Sequence, residues 1–211
     1  MKALIVASGS PPSKKLIQKH SDADLLIAAD GGIEILKKCG MIPDFLIGDF
    51  DSAKGRTVRS YRGGKTQIVR FAVEKNETDG MIALKLALER GADCVVLLGG
   101  LGKRTDHALA NIMLLQYAHG RGVPMIIEDR YCQVTLASGE TQVRGKPGQT
   151  ISILPWMGPC TVTSDDSFHY PLKELYMAQD DPVGVSNVLT KPEARLTIQG
   201  LALIFKIKRD G

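Results

Sequence analysis

Pro43-Asp44-Phe45-Leu46-Ile47-Gly48-Asp49-Phe50-Asp51-Ser52 is an apolar, strand-like run that ends in a glycine and two carboxylates spaced i, i+2. On an extended segment, side chains two apart point the same way, with Cα atoms about 6–7 Å apart. Asp49 and Asp51 can then face one cation. A hard ion such as Mg²⁺ takes oxygen ligands at about 2.0–2.1 Å, usually one or two carboxylates with waters and the phosphates of a substrate. A turn whose aspartates hydrogen-bond locally accounts for the same residues, so the run taken alone leaves both readings open.

Its neighbours narrow the choice. Ala29-Asp30-Gly31-Gly32 follows Leu25-Leu26-Ile27-Ala28, and Lys75-Asn76-Glu77-Thr78-Asp79-Gly80 follows Ile68-Val69-Arg70-Phe71. Gly99-Gly100-Leu101-Gly102-Lys103-Arg104-Thr105-Asp106-His107 follows Cys94-Val95-Val96-Leu97-Leu98. Every one of these polar clusters stands where an apolar run stops. In an open α/β sheet the ligand crevice lies outside the carboxyl ends of the strands, so the clusters are expected to converge on one edge.

Apolar runs at Ala3–Ala7, Leu25–Ala29, Phe45–Ile47, Gln67–Phe71, Cys94–Leu98 and Met125–Ile127 alternate with helix-like segments. That alternation predicts an α/β domain with a mostly parallel sheet under covering helices, a Rossmann-like three-layer arrangement. The clearest helix runs from Thr78 to Arg90, with Met81, Leu84 and Leu88, flanked by Ile82 and Leu86, as its apolar stripe. Thr78 suits its N-cap and Gly91 a left-handed exit. A second helix follows Thr105-Asp106, with Leu109, Ile112, Met113 and Gln116 on one face, and stops at Gly120. Both helices begin at polar motifs, so their N-terminal N–H groups point where a phosphate would sit.

Beyond residue 128 the texture changes to short β-type segments broken by Gly, Pro, Ser and Asp: Cys132–Leu136, Thr150–Leu154, Thr161–Thr163, Arg195–Thr197 and Ala202–Ile207. The expectation is an α/β domain over residues 1–128 and a smaller antiparallel β-sandwich or half-barrel over 129–211. So thin a β core is expected to dock on the first domain or on another subunit.

Composition excludes several classes. The 211 residues are 44% hydrophobic with a net charge of +4, and the basic residues are scattered apart from Lys206-Ile207-Lys208-Arg209. Neither a nucleic-acid footprint nor a polybasic membrane patch follows. Cys39, Cys94, Cys132 and Cys160 form no C-x-x-C, which disfavours zinc and thioredoxin chemistry and suits a reduced, cytoplasmic setting. No stretch approaches the roughly 20 apolar residues of a membrane helix, and Ala3–Ala7 is too short for a signal-peptide core. Gly99-Gly100-Leu101-Gly102 is neither a G-x-G-x-x-G fingerprint nor a P-loop, so a Walker-type kinase is disfavoured.

Taken in order, these motifs resemble one family, the thiamine pyrophosphokinases. Its A-D-G-G pattern is Ala29 to Gly32, and its P-D-x-x-x-G-D-x-D-S is Pro43 to Ser52. E-K-D-x-T-D appears as Glu74 to Asp79, and G-G-x-G-G-R-x-D-H as Gly99 to His107, followed by Ala110-Asn111. Further on, Y-P-L and G-x-S-N are matched by Tyr170-Pro171-Leu172 and Gly184-Val185-Ser186-Asn187. The chain departs twice: Asn76 stands for a usual aspartate, which removes a charge from the acidic cluster, and Lys103 stands for a glycine, which adds a cation beside Arg104.

The resemblance implies transfer of an intact pyrophosphoryl group from ATP to the thiamine hydroxyl, releasing AMP. Such a reaction needs mainly positioning and charge neutralisation. By the same resemblance Asp49, Asp51 and Asp79 form the Mg²⁺ set, with Asp30 as a further or water-mediated member. Asp106 joins the acids as a catalytic candidate, while Arg104, Lys103, His107, Gly31, Gly32 and Gly100 belong to the nucleotide side. Thiamine sits at a homodimer interface in the family and contacts the β domain, which makes Ser186 and Asn187 substrate candidates. Trp156 matches no family position and is read as a core or interface residue. Two other readings compete: a nucleotide-sugar transferase using Asp49-Phe50-Asp51 with Mn²⁺, and a non-catalytic thiamine- or nucleotide-binding sensor.

Overall fold

The computed structural model describes residues 1–48, 61, 64–70 and 77–208; Asp49, Asp51 and Asn76 lie outside the described residues. The chain divides into two compact units, Met1–Arg130 and Tyr131–Gly211.

In the first unit the described strands are β1 (Lys2–Val6), β2 (Leu25–Ala29), β3 (Phe45–Gly48), β4 (Gln67–Arg70), β5 (Cys94–Leu98) and β6 (Met125–Glu128). They pair in parallel in the order β6-β5-β1-β2-β3-β4. The helices are α1 (Lys14–Gln18), α2 (Gly32–Lys38), α3 (Asp79–Glu89) and α4 (Thr105–His119). Strands covered on both faces need apolar residues at every position, and β2 is buried throughout. Leu4, Val6, Leu26, Ala28, Leu46, Val96 and Leu98 form one face, packed against Leu16 and Ile17 of α1 and Ile33 and Leu36 of α2. Strand order runs outward from β1 through β4 and then returns to β5 on the other side of β1, so right-handed crossovers carry α3 and α4 to the opposite face. The topological switch point therefore lies between β1 and β5. The α/β class and the parallel sheet are those the sequence predicts.

The caps of α3 also follow the sequence. Thr78 Oγ1 accepts from the Met81 N–H at 3.2 Å, while Gly91 at φ +86° closes the other end and lets Ala92 N–H reach Ala87 O at 3.0 Å. Its buried residues are Ile82, Ala83, Leu84 and Ala87. The face of α4 differs from the expected one: Leu114, Leu115 and Ala118 are buried, whereas Leu109 and Met113 are 52% and 54% exposed. Helix α1 is tied to the end of β6 through Glu128, only 1% exposed, whose carboxylate accepts from Lys19 Nζ and meets His20 Nε2, both at 2.7 Å. A buried carboxylate is tolerable because it is paired in this way.

The second unit is antiparallel, with β7 (Cys132–Arg144), β8 (Thr150–Pro155), β9 (Cys160–Ser164), β10 (Leu175–Met177), β11 (Asn187–Val188) and β12 (Glu193–Ile207). The segments read as short strands at Arg195–Thr197 and Ala202–Ile207 are one long strand, β12, and β7 is similarly extended. They pair along their length with a register break between Ile198 and Ala202. Before the break β12 also pairs with β9, and after it with β8. Gly200 makes the bend: it sits at φ +96°, and a Cβ there would lie 2.7 Å from Pro159 O. Bulges of this kind turn a strand from one partner to another, and here the turn wraps the sheet around Ile151, Ile153, Val162, Phe168, Leu196 and Ile204. Among the described residues, no helix is long and apolar enough to cross a membrane.

Candidate active site

The polar clusters stand at the carboxyl ends of β1, β2 and β5 and at the start of α3, and a series of hydrogen bonds and close approaches joins them into one edge. The β1–α1 loop is laid directly on the β5–α4 loop. Ala7 N–H donates to Leu98 O (2.8 Å), Gly9 N–H to Gly99 O (2.9 Å) and Ser10 N–H to Leu101 O (2.5 Å). Only glycine admits this approach: a Cβ on Gly99, at φ +68°, would sit 2.2 Å from Ala7 O, and one on Gly9 2.5 Å from Gly99 O.

Asp30, the residue after β2, is half-buried and holds a left-handed φ of +48°, a conformation aspartate tolerates better than most residues. Its N–H donates to Ile47 O at 2.7 Å, and its Oδ2 accepts from Ser8 Oγ at 3.1 Å. Gly31 and Gly32 follow, and a Cβ on Gly32 would lie 1.9 Å from Val6 O, so α2 starts in direct contact with the β1 backbone. On the other side, Asn111 of α4 donates from Nδ2 to Gly100 O at 2.6 Å. Its Oδ1 lies 2.7 Å from where a Gly80 Cβ would be. Gly80 neighbours Asp79, the half-buried first residue of α3. A continuous chain thus runs from Asp30 through Ser8, Gly9, Gly99, Gly100 and Asn111 to Gly80.

Arg104, Asp106 and His107 are exposed at the start of α4. Arg104 grips Asp106 in a two-pronged ion pair, Nε to Oδ1 at 3.1 Å and Nη2 to Oδ2 at 2.5 Å. That hydrogen bond is the main reason the Asp106 carboxyl is held down to about 2. The neighbouring Lys103 is exposed as well. The motif aspartate Asp44 serves the fold instead, since its Oδ2 accepts from Leu26 N–H at 2.8 Å and fastens the start of β3 to β2.

In the second unit Ser186 is exposed at φ +63°, with its N–H donating to Ser152 Oγ at 3.0 Å. Asn187, expected beside it as a substrate contact, is 6% exposed and its amide is engaged inside the unit. Oδ1 accepts from the N–H groups of Tyr170 (3.0 Å) and Val188 (2.8 Å), and Nδ2 donates to Tyr170 O (2.8 Å). Asn187 therefore sets the position of Tyr170, itself 61% exposed. Trp156 is half-buried at the end of β8.

Ser8, Gly9 and the bridging role of Asn111 are not apparent from the motifs alone. The signal for the first two was present: Ser8-Gly9-Ser10 ends an apolar run just as the other clusters do.

Comparison with known proteins bears on both units. Residues 16–127 match the thiamin pyrophosphokinase catalytic domain, and residues 140–201 match the thiamin pyrophosphokinase vitamin B1 binding domain. Thiamine pyrophosphokinase of Bacillus subtilis is 27% identical over 193 residues, covering 90% of each chain. The crystal structure of thiamine pyrophosphokinase from Bacillus subtilis superposes with a TM-score of 0.89 at 25% identity over all of both chains. Thiamin pyrophosphokinase from Candida albicans, at 16% identity, shares the fold with a TM-score of 0.83 over 98% of this chain and 90% of its own. With family models matching both units in order, the chain belongs to the thiamine pyrophosphokinase family.

Proposed function

We propose that this member of the family transfers the pyrophosphoryl group of ATP to the hydroxyl of thiamine, giving AMP and thiamine diphosphate, with Mg²⁺ as the cofactor. The observation that carries the reading is the continuous chain of contacts from Asp30 to Gly80. It gathers the β1, β2 and β5 loops and the N-terminus of α3 onto one edge of the parallel sheet, where open α/β sheets take their ligands.

The donor chemistry fits Mg²⁺. Asp30 and Asp79 offer only carboxylate oxygens, the ligands a hard cation prefers, and Asp49 and Asp51, outside the described residues, would complete the set. A bound Mg²⁺ neutralises charge on the phosphate oxygens. The protein's own part is to place and exclude. Gly31, Gly32 and Gly100 stand on the nucleotide side, where Gly32 and Gly100 let their loops pack close against the sheet, and the N-terminal N–H groups of α3 and α4 favour anionic phosphate there. Lys103 and His107, exposed on the β5–α4 loop and the first turn of α4, are placed with the phosphates. Arg104 reaches them by exchanging its carboxylate partner Asp106 for a phosphate, a swap between two ligands that a guanidinium's fork fits equally. The exchange leaves the Asp106 carboxylate among the catalytic acids of this edge.

Thiamine is placed on the second unit, with the exposed Ser186 as a contact and Asn187 acting through Tyr170. The vitamin B1 binding model over residues 140–201 supports this placement. The functional species is a homodimer with two-fold symmetry in the cytoplasm, a reducing medium that suits cysteines in no disulfide, as Cys39, Cys94, Cys132 and Cys160 are. Light scattering that finds only monomer in a fully active sample would remove the dimer.

The deciding experiment is product identification with γ-labelled ATP, Mg²⁺ and thiamine. AMP and thiamine diphosphate should form in equal amounts, with label in the terminal phosphate. Early ADP and thiamine monophosphate would mean attack at the γ-phosphorus and would refute the assigned reaction.

A further inference from the structure

We infer that Ser8 is a positioning residue for Asp30: its hydroxyl fixes the orientation in which that carboxylate serves the nucleotide and its cation. The inference rests on the proposed function of this edge. It begins with register. In the parallel β1–β2 pair Val6 stands opposite Ala28, so two residues further along each chain Ser8 and Asp30 reach the same height beyond the sheet. Ser8 Oγ donates to Asp30 Oδ2 at 3.1 Å.

Both partners are pinned from behind. Ser8 lies between Ala7 and Gly9, whose N–H groups are bonded to Leu98 O and Gly99 O. Gly9 is also pressed against the neighbouring loop, since a Cβ on Gly102 would lie 2.9 Å from the Gly9 Cα. Asp30 is held by its N–H to Ile47 O and by its left-handed backbone. With both backbones fixed, the freedom left to the Asp30 carboxylate is rotation about its own side-chain bonds. A hydroxyl donor at one oxygen restricts that rotation. Ser8 is exposed and fills no space in the core, so packing does not explain the hydroxyl.

The test compares Ser8→Ala, Ser8→Thr, Asp30→Asn and the Ser8→Ala/Asp30→Asn double variant. Binding of Mn²⁺ alone is followed by its paramagnetic resonance signal, beside kcat, KM for Mg·ATP and thermal stability. Ser8→Ala should weaken Mn²⁺ binding and raise KM by about three- to tenfold, the scale of a typical net hydrogen bond, with the melting temperature unchanged. Ser8→Thr should restore both, and in the Asp30→Asn background Ser8→Ala should have no further effect. If Asp30→Asn weakens binding while Ser8→Ala matches the parent, or if the two effects multiply, the positioning role is overturned and the proposed site stands. If Asp30→Asn itself changes nothing, Asp30 lies outside the site and both readings of it fall.

Discussion

Replacing Asn111 with aspartate tests whether the strand-end loops work as one edge. The Asn111 amide donates to Gly100 O at 2.6 Å, and Gly100 is buried. The substitution removes that donor and sets a carboxylate against the carbonyl oxygen. A buried carbonyl left without its partner costs about 1–3 kcal/mol, and repulsion by the new charge brings the expected loss to about 2–4 kcal/mol. At ~3 °C per kcal/mol for a chain of this size, the melting temperature should fall by about 6–12 °C. Catalysis should suffer on a similar scale. Gly100 stands in the β5–α4 loop, and a displacement of about 1 Å in a positioned site costs on the order of 100-fold in rate. Turnover is measured by thiamine diphosphate formation below the new melting temperature. A variant that melts within about 2 °C of the parent (under about 1 kcal/mol) and turns over within about twofold would refute the coupling of α4 to the loop.

Two further outcomes follow from the acids. Asp51→Asn should lower turnover at least ~100-fold with the fold intact, because losing a group that stabilises transition-state charge typically costs about 3 kcal/mol or more; near-normal turnover at saturating Mg²⁺ would take Asp51 out of the metal set. Asp106, lowered from 3.8 to about 2 chiefly by its hydrogen bond to Arg104, contributes stability that is present above 3.8 and is lost as pH falls through about 2. A carboxyl titration by nuclear magnetic resonance should show that midpoint, and Arg104→Ala should move it up towards about 3.9; an unmoved midpoint would mean the ion pair is not its cause.

The parallel sheet was legible because strands buried on both faces are written as unbroken apolar runs, as in Leu25–Ala29. The caps of α3 were legible because Thr78 and Gly91 act within one turn of the backbone. Helix α4 was harder to read. It is apolar around much of its circumference, and periodicity alone did not separate the exposed Leu109 and Met113 from the buried Leu114 and Leu115. Gly200 lies in the gap between Arg195–Thr197 and Ala202–Ile207, and a glycine that ends a strand and one that bulges it look alike in sequence. At the site, the acid and glycine positions were visible from where apolar runs stop. The partners of those residues were not, because contacts such as Ser8 to Asp30 and Asn111 to Gly100 depend on which loops the strand order brings together.

The long, bent β12 has a consequence for how the second unit opens. Within that unit β7, β8 and β9 each pair with β12, while β10 hangs on β9 and β11 on β8. Among the described strands of the unit, no sheet of more than two survives without it, and isolated two-stranded pieces are marginal in water. The second unit therefore has no cooperative subunit smaller than itself: the amides of β12 exchange with solvent through opening of the whole unit, and a chain cut before Glu193 leaves the remaining strands without a common partner.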